Sequence, residues 1–271
     1  MANAISKTAY YTLGARVADM ARRQPICGDS YASRFVDEEA TRIWERFKGF
    51  RNPNAGNASR HRIIDELVQA ELSQQRQARV VVIGAGFDTR AYRLDGGRWL
   101  EVDEPVIIEH KNARLPAESA KNPLERVAIE FGTESLAARL APFQQTQRTH
   151  LIIEGVFMYL THAQRQQLLG ALRQLFPNHA LYCDLMTKSF NETFGRKLHD
   201  AIVALGTSFQ DMTDEPQALF LSEGYRAAAS TSITLHAAER GALNVPAFLV
   251  RMRRSALEGY RIWKFERAEA P

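Results

Sequence analysis

The sequence predicts an α/β fold, with a mostly parallel sheet behind an N-terminal helical cap. Three observations carry this expectation. Apolar residues recur at helical spacing up to residue 76. Beyond it, short β-branched runs alternate with helical patterns, the signature of βαβ units. The first of those runs stops at Gly84-Ala85-Gly86, a turn that permits close backbone approach to a ligand.

Within residues 4–76, Leu13, Val17 and Met20 share one helical face, as do Ile63, Ile64, Leu67, Val68 and Leu72. The stretch Gly49 to Gly56, which contains Pro53, is expected to split this region into two parts, with Asn57 or Ser59 capping the second. Strands are predicted over Arg79 to Ile83, Trp99 to Val102, Arg126 to Phe131, Thr149 to Ile153 and Ala180 to Leu185. Helices are predicted between them, over Pro105 to Leu115, Thr133 to Leu140 and Thr161 to Phe176. A polar stretch then runs to Glu215. Its aromatic part, Phe190 to Phe209, reads either as an apolar lid (about 187–216) or as a loop packed by its own side chains. The last strands are expected over Ala227 to Leu235, Ala247 to Arg253 and Tyr260 to Arg267. Together these describe one domain, with residues 1–76 as a cap on a core of 77–271.

Bulk properties exclude several classes. Of 271 residues, 45% are hydrophobic and 24% charged, as in ordinary globular chains. The net charge of +4 is too slight and too scattered for a nucleic-acid binder. The nearest cluster, Arg251, Arg253 and Arg254, reads as a solvated strand face. The longest apolar run, Leu151 to Leu160, is about half a membrane span and carries Glu154. Cys27 and Cys183 lack metal or redox spacing, and Met1 to Tyr11 lacks a signal-peptide pattern. Reduced buried thiols and a cytoplasmic protein are expected. None of the seven histidines forms a metal-site pair, and only His61 and His162 fall near candidate site positions.

In an open parallel sheet, ligands sit beyond the carboxyl ends of the strands. Here those ends carry Gly84-Ala85-Gly86, Asp103, Glu130 and Glu154. The third glycine of a dinucleotide fingerprint would fall at Thr89, which argues against a pyrophosphate. Asp103 can accept from both hydroxyls of a ribose, with Glu101 in reserve, or can cap the helix opening at Pro105. Glu130-Phe131 suits an adenine amino group and ring, or an exposed Glu beside a core Phe. Glu154, inside an apolar run, needs either a polar ligand or an arginine.

The run from Val80 through Gly84-Ala-Gly-Phe-Asp-Thr-Arg90 to Leu94 resembles the first motif of the leucine carboxyl methyltransferase family, whose bacterial branch includes polyketide O-methyltransferases. Trp99 to Pro105 is similar to its second motif, and Glu154 to Thr161 to its fourth. Asp29 to Ala32 and Ser59 to Asp65 are similar to its cap signatures. Two features depart from wider patterns. No acidic residue sits in the strand before the glycine turn, which fits this family but not methyltransferases at large, and Ser30 stands where the family usually has proline.

The resemblance implies a Rossmann-like class I methyltransferase fold, with seven strands of which the last is antiparallel. It implies S-adenosyl-L-methionine as cofactor, with S-adenosyl-L-homocysteine as product. It also implies roles. Arg60 would bind the methionine carboxylate near the acceptor. Gly84, Ala85 and Gly86 would line the methionine and ribose, and Asp103 would hold the ribose. Glu130 and Phe131 would flank adenine, Glu154 would face the methionine amino group, and Tyr159 would face the acceptor.

A small-molecule carboxylate is the expected acceptor. With a pKa of about 4 it is already ionised and needs no general base, whereas a phenolic hydroxyl on a polyketide-like metabolite would usually need one. A protein C-terminal carboxylate is a further alternative. So are a non-catalytic adenosylmethionine-binding module and a nicotinamide-dependent oxidoreductase, the last suggested only by the Tyr260-x-x-x-Lys264 spacing. Oligomeric state is not legible, nor is whether residues 1–24 close over the ligand.

Overall fold

The computed structural model describes residues 4–267. Three helices lead: α1 (Ala4–Met20), α2 (Glu38–Phe47) and α3 (Arg51–Gln74). The core follows as β1 (Arg79–Ile83), α4 (Arg90–Arg93), β2 (Arg98–Asp103), α5 (Pro105–Arg114), β3 (Leu124–Ala128), α6 (Leu136–Leu140), β4 (Thr149–Ile153), α7 (His162–Leu175) and β5 (His179–Met186). Then come α8 (Lys188–Phe190), α9 (Arg196–Val203), α10 (Ala218–Ser222), β6 (Tyr225–Ser232), α11 (Ile233–Glu239), α12 (Ala247–Met252), α13 (Arg254–Leu257) and β7 (Tyr260–Arg267).

The seven strands form one sheet in the order β3-β2-β1-β4-β5-β7-β6. Strands β1 to β5 are parallel, and β7 runs antiparallel between β5 and β6. Strand alternation divides the core in two. Val80, Val82, Trp99, Ile152, Tyr182 and Ile262 pack against the cap, with Val68 and Leu72 of α3. Val81, Ile83, Leu100, Leu151, Ile153 and Leu181 pack on the opposite face against Leu169, Leu172 and Leu175 of α7. Thr161 starts α7 with a reciprocal capping box to Gln164.

Three expectations are corrected. Helix α3 starts at Arg51, so Asn57 and Ser59 lie inside it and cap nothing. Pro53 occupies its first turn, where no intrahelical N–H bond is lost. The sixth strand stops at Ser232, whose Oγ accepts from Leu235 N (3.2 Å) and opens α11. Ala247 to Arg253 is not a strand: α12 occupies it after Pro246, and Arg251, Arg253 and Arg254 are exposed on helices and the turn between them. His150 in β4, His179 at the start of β5 and His236 in α11 are buried. Burial lowers His150 and His179 to about 4, and each contacts a tyrosine hydroxyl, Tyr182 and Tyr225 respectively. No helix among the described residues is long and apolar enough to cross a membrane.

Helix α1 lies close against α2. A Cβ at Gly14 would fall 2.5 Å from Trp44 Cε3. Gly14→Ala is therefore expected to destabilise the protein, because overpacking of about 1–3 kcal/mol outweighs a helix-propensity gain of about 1 kcal/mol. Urea denaturation checks this. Unchanged stability would mean that the indole ring moves freely.

Candidate active site

The glycine turn is dictated locally. Gly84 and Gly86 adopt φ of +67° and +48°, in the left-handed region. A Cβ at Gly84 would also lie 2.6 Å from Val156 Cγ2, on the loop after β4. The turn lies against Asp103 at the end of β2. Its Oδ2 accepts from Gly86 N (2.6 Å) and its Oδ1 from Glu104 N (2.7 Å). Burial raises this carboxyl, and the two backbone N–H groups work against that shift. Glu104 takes the N-cap position of α5 with Pro105 just inside, so Asp103 is not its cap. Glu101, the reserve candidate, is fully buried against Lys111 (2.7 Å) and Arg126 (2.9 Å) and does not line the cavity beside the glycine turn.

Glu154, just beyond β4, is the hub of a buried charge network. Its Oε1 accepts from Arg60 Nε (3.1 Å), and its Oε2 from Arg90 Nη2 (2.7 Å). Burial alone would raise its pKa, but Arg90, His61 and Arg60 hold it well below the usual carboxylate range. Arg90, with no exposed surface, also binds Asp65 (2.6 Å) and Asp88. Arg93 joins Asp65 (2.7 Å), and Arg16 of α1 binds Asp29 (2.6 Å). The His61 ring sits between two arginines, which only donate. Its Nε2 lies 2.8 Å from Arg93 Nη2, and its Nδ1 lies 3.2 Å from Glu154 Oε2 and 2.9 Å from Arg90 Nη2, so no neutral tautomer accepts from both arginines, and Arg90 Nη2 also bonds Glu154 and the His61 carbonyl (3.1 Å).

This network carries a pH dependence. Burial opposes ionisation of Asp65, but His61, Arg93 and Arg90 outweigh it and lower the carboxyl from 3.8 to about 2. A carboxyl depressed in the folded state contributes stability above its unfolded pKa and loses it as pH falls toward the folded one. Thermal stability is thus expected to fall between pH 4 and pH 2, and less steeply in Asp65→Asn. Parallel melting curves for the two proteins would contradict it.

One cavity of about 810 Å³ opens at the carboxyl edge of the sheet. It brings together Arg60, Gly84, Ala85, Gly86, Asp103, Phe131, Glu154 and Tyr159. Glu130 does not line it. Strand β3 ends at Ala128, and the following turn leaves Glu130 exposed, its Oε2 3.3 Å from Thr133 Oγ1. Phe131 lies on the rim, 40% exposed. Burial raises the Tyr159 hydroxyl to about 12, and its ring meets Phe209 edge-on at 5.5 Å. Helix α1 adds Thr8, Ala9, Thr12 and Arg16 to the lining. Sequence reasoning missed Asp65, Asp88, Arg90 and Asp184 as parts of the site. The one available signal was Glu154, whose apolar setting demanded a cation without naming it.

A second cleft of about 720 Å³ shares no lining residue with the first and holds none of the strand-end carboxylates. Tyr260 and Lys264 make no joint site: Tyr260 bonds Arg60 and Asp184, while Lys264 pairs with Glu71 and Glu266. Among the described residues, no cluster of His, Cys, Asp or Glu is placed to hold a metal.

Sheet order and site position define a Rossmann-like methyltransferase fold. The structure superposes on that of a protein from Thermobifida fusca YX, provisionally titled a methyltransferase, with a TM-score of 0.60, 14% identity and coverage of 97% of this chain and 94% of that one. The chain belongs to the leucine carboxyl methyltransferase family, whose sequence profile matches residues 9–173. Two mycobacterial relatives are provisionally named S-adenosyl-L-methionine-dependent methyltransferases. The one from Mycobacterium avium (strain 104) is 38% identical over 129 residues, covering 45% of this chain and 40% of its own length. The one from Mycobacteroides abscessus is 30% identical over 177 residues, covering 58% and 57%. The alignments thus span about half the length of these relatives.

Proposed function

We propose that the protein is an S-adenosyl-L-methionine-dependent methyltransferase that methylates an oxygen of a small molecule, with a carboxylate as acceptor. One observation carries the cofactor reading. Asp103 and Glu154 flank a positive-φ glycine turn within a single cavity whose lining has five carboxylates against two guanidiniums. Such a lining suits a ligand bearing an ammonium and a sulfonium. Asp103 would take the ribose hydroxyls, Phe131 would cover adenine, and Glu154 with Arg60 would hold the amino-acid end. When bound, the cofactor supplies an electrophilic methyl group. The protein's task is to align the acceptor oxygen with it and exclude water, an effect worth several kcal/mol. Tyr159 and the Thr8 and Thr12 face of α1 would border the acceptor, and the segment around Phe209 would form part of the lid.

The carboxylate preference rests on the engagement of the histidine that lines the cavity. His61, the cavity's one histidine among the described residues, is committed to Arg93 and Glu154. A carboxylate needs no base. The buried, unpaired Cys27 and Cys183 accord with a reducing, cytoplasmic setting.

Calorimetric titration with S-adenosylmethionine, S-adenosylhomocysteine and NADH tests the cofactor. Binding of the first two alone is expected, and binding of NADH alone would overturn the reading. Transfer of labelled methyl to panels of carboxylic acids and phenols tests the acceptor. An alkali-labile product marks an ester, and an alkali-stable one an aryl ether, which would refute the carboxylate.

A further inference from the structure

Tyr260 stands at the start of β7, outside the family-matched residues 9–173 and outside the cavity lining. Yet its buried hydroxyl donates to Asp184 Oδ2 (2.7 Å) and accepts from Arg60 Nη1 (2.9 Å). Asp184, 2% exposed on β5, also accepts from Arg60 Nη1 (3.2 Å) on that same oxygen. Its other oxygen accepts from Gly155 N (2.6 Å). Gly155, at φ +70°, presses on the same guanidinium: a Cβ there would lie 3.0 Å from Arg60 Nη2. Arg60 is thereby gripped from three sides. Glu154 takes Nε, Asp184 and Tyr260 take Nη1, and the Gly155 turn packs on Nη2. That last nitrogen has no hydrogen-bond partner among the described residues.

We propose that Tyr260 and Asp184 are positioning residues: they hold Nη1 of Arg60 so that its Nη2 edge is kept for the carboxylate end of the cofactor. This rests on the adenosylmethionine reading above. The physical reason is that a guanidinium beside two carboxylates has several bidentate geometries open to it. The Tyr260 hydroxyl removes one by occupying Asp184 Oδ2 and giving Nη1 a neutral acceptor. Burial, with the Asp184 charge working the same way, keeps that hydroxyl protonated and so able to donate. Without it, the guanidinium is free to rotate into a two-point pair with Asp184 and turn Nη2 from the cavity.

The test compares two ligands. S-adenosylhomocysteine carries the amino-acid end, and methylthioadenosine lacks it. In Tyr260→Phe, which keeps the ring against Phe190, affinity for S-adenosylhomocysteine is expected to fall roughly tenfold while that for methylthioadenosine stays within about twofold. Asp184→Asn is expected to show the same split. In an Arg60→Gln background, Tyr260→Phe is expected to add nothing, because both act on one interaction. Equal weakening of both ligands would mean a general structural role and overturn the proposal, as would unchanged affinity for S-adenosylhomocysteine. A wild-type protein that binds neither ligand would instead refute the cofactor reading.

Discussion

Arg90→Ala is expected to lower the melting temperature by on the order of 10 °C. Arg90 has no exposed surface and donates to Asp65, Asp88, Glu154 and the His61 carbonyl. Removing it leaves three buried carboxylates close together with less than their compensating charge. Breaking one buried pair typically costs about 3–5 kcal/mol, and each kcal/mol shifts a domain of this size by about 2–4 °C. Arg90→Lys restores the charge but not the planar fork that serves several acceptors at once, so it should recover only part of the loss. Differential scanning calorimetry at neutral pH decides. A melt of Arg90→Ala close to wild type would show that the carboxylates find protons or water at little cost.

Asp103→Ala is expected to weaken S-adenosylhomocysteine binding by tenfold or more, about 1.4 kcal/mol, while leaving the melting temperature of the free protein within a few degrees. Asp103 sits in the cavity and receives the backbone N–H groups of Gly86 and Glu104. Each of its oxygens keeps further accepting capacity for a ribose hydroxyl. Asp103→Asn tests the same point more finely, since a carboxamide has one accepting oxygen and its NH₂ would confront a donor. Asn is therefore expected to behave more like Ala than like Asp. Calorimetric titration of the three proteins gives the answer, and wild-type affinity in the alanine variant would remove Asp103 from the site.

Much of this was legible in the chain, for reasons that can be named. Strands β1, β4 and β7 match their expected ranges. β1 and β4 are continuous runs closed by Gly84 and Glu154, and burial on both faces suits such runs. Helix α12 was misread because a short apolar run fits either period, and Pro246 before it was the overlooked sign. Strand-end residues were legible because a topological rule places them. Glu130 failed because one shortened strand turned it outward. The Arg90 network was not legible, since nothing local shows that Asp65 and Arg90 will touch. Tyr260 was noticed for its spacing to Lys264, but its pairing with Arg60 depends on the register of β7 against β5, which a strand pattern does not encode.

The insertion of β7 between β5 and β6 also bears on how the chain acquires its structure. Strand β5 is buried along nearly its whole length, yet its outer neighbour is made far downstream, after β6 and three more helices. While the chain emerges from the ribosome, β5 therefore presents an apolar, unpaired edge until β7 arrives. Pairings so distant in sequence close slowly. The nascent protein passes through a vulnerable interval that ends when β7 docks between β5 and β6, and in that same event Tyr260 reaches Arg60.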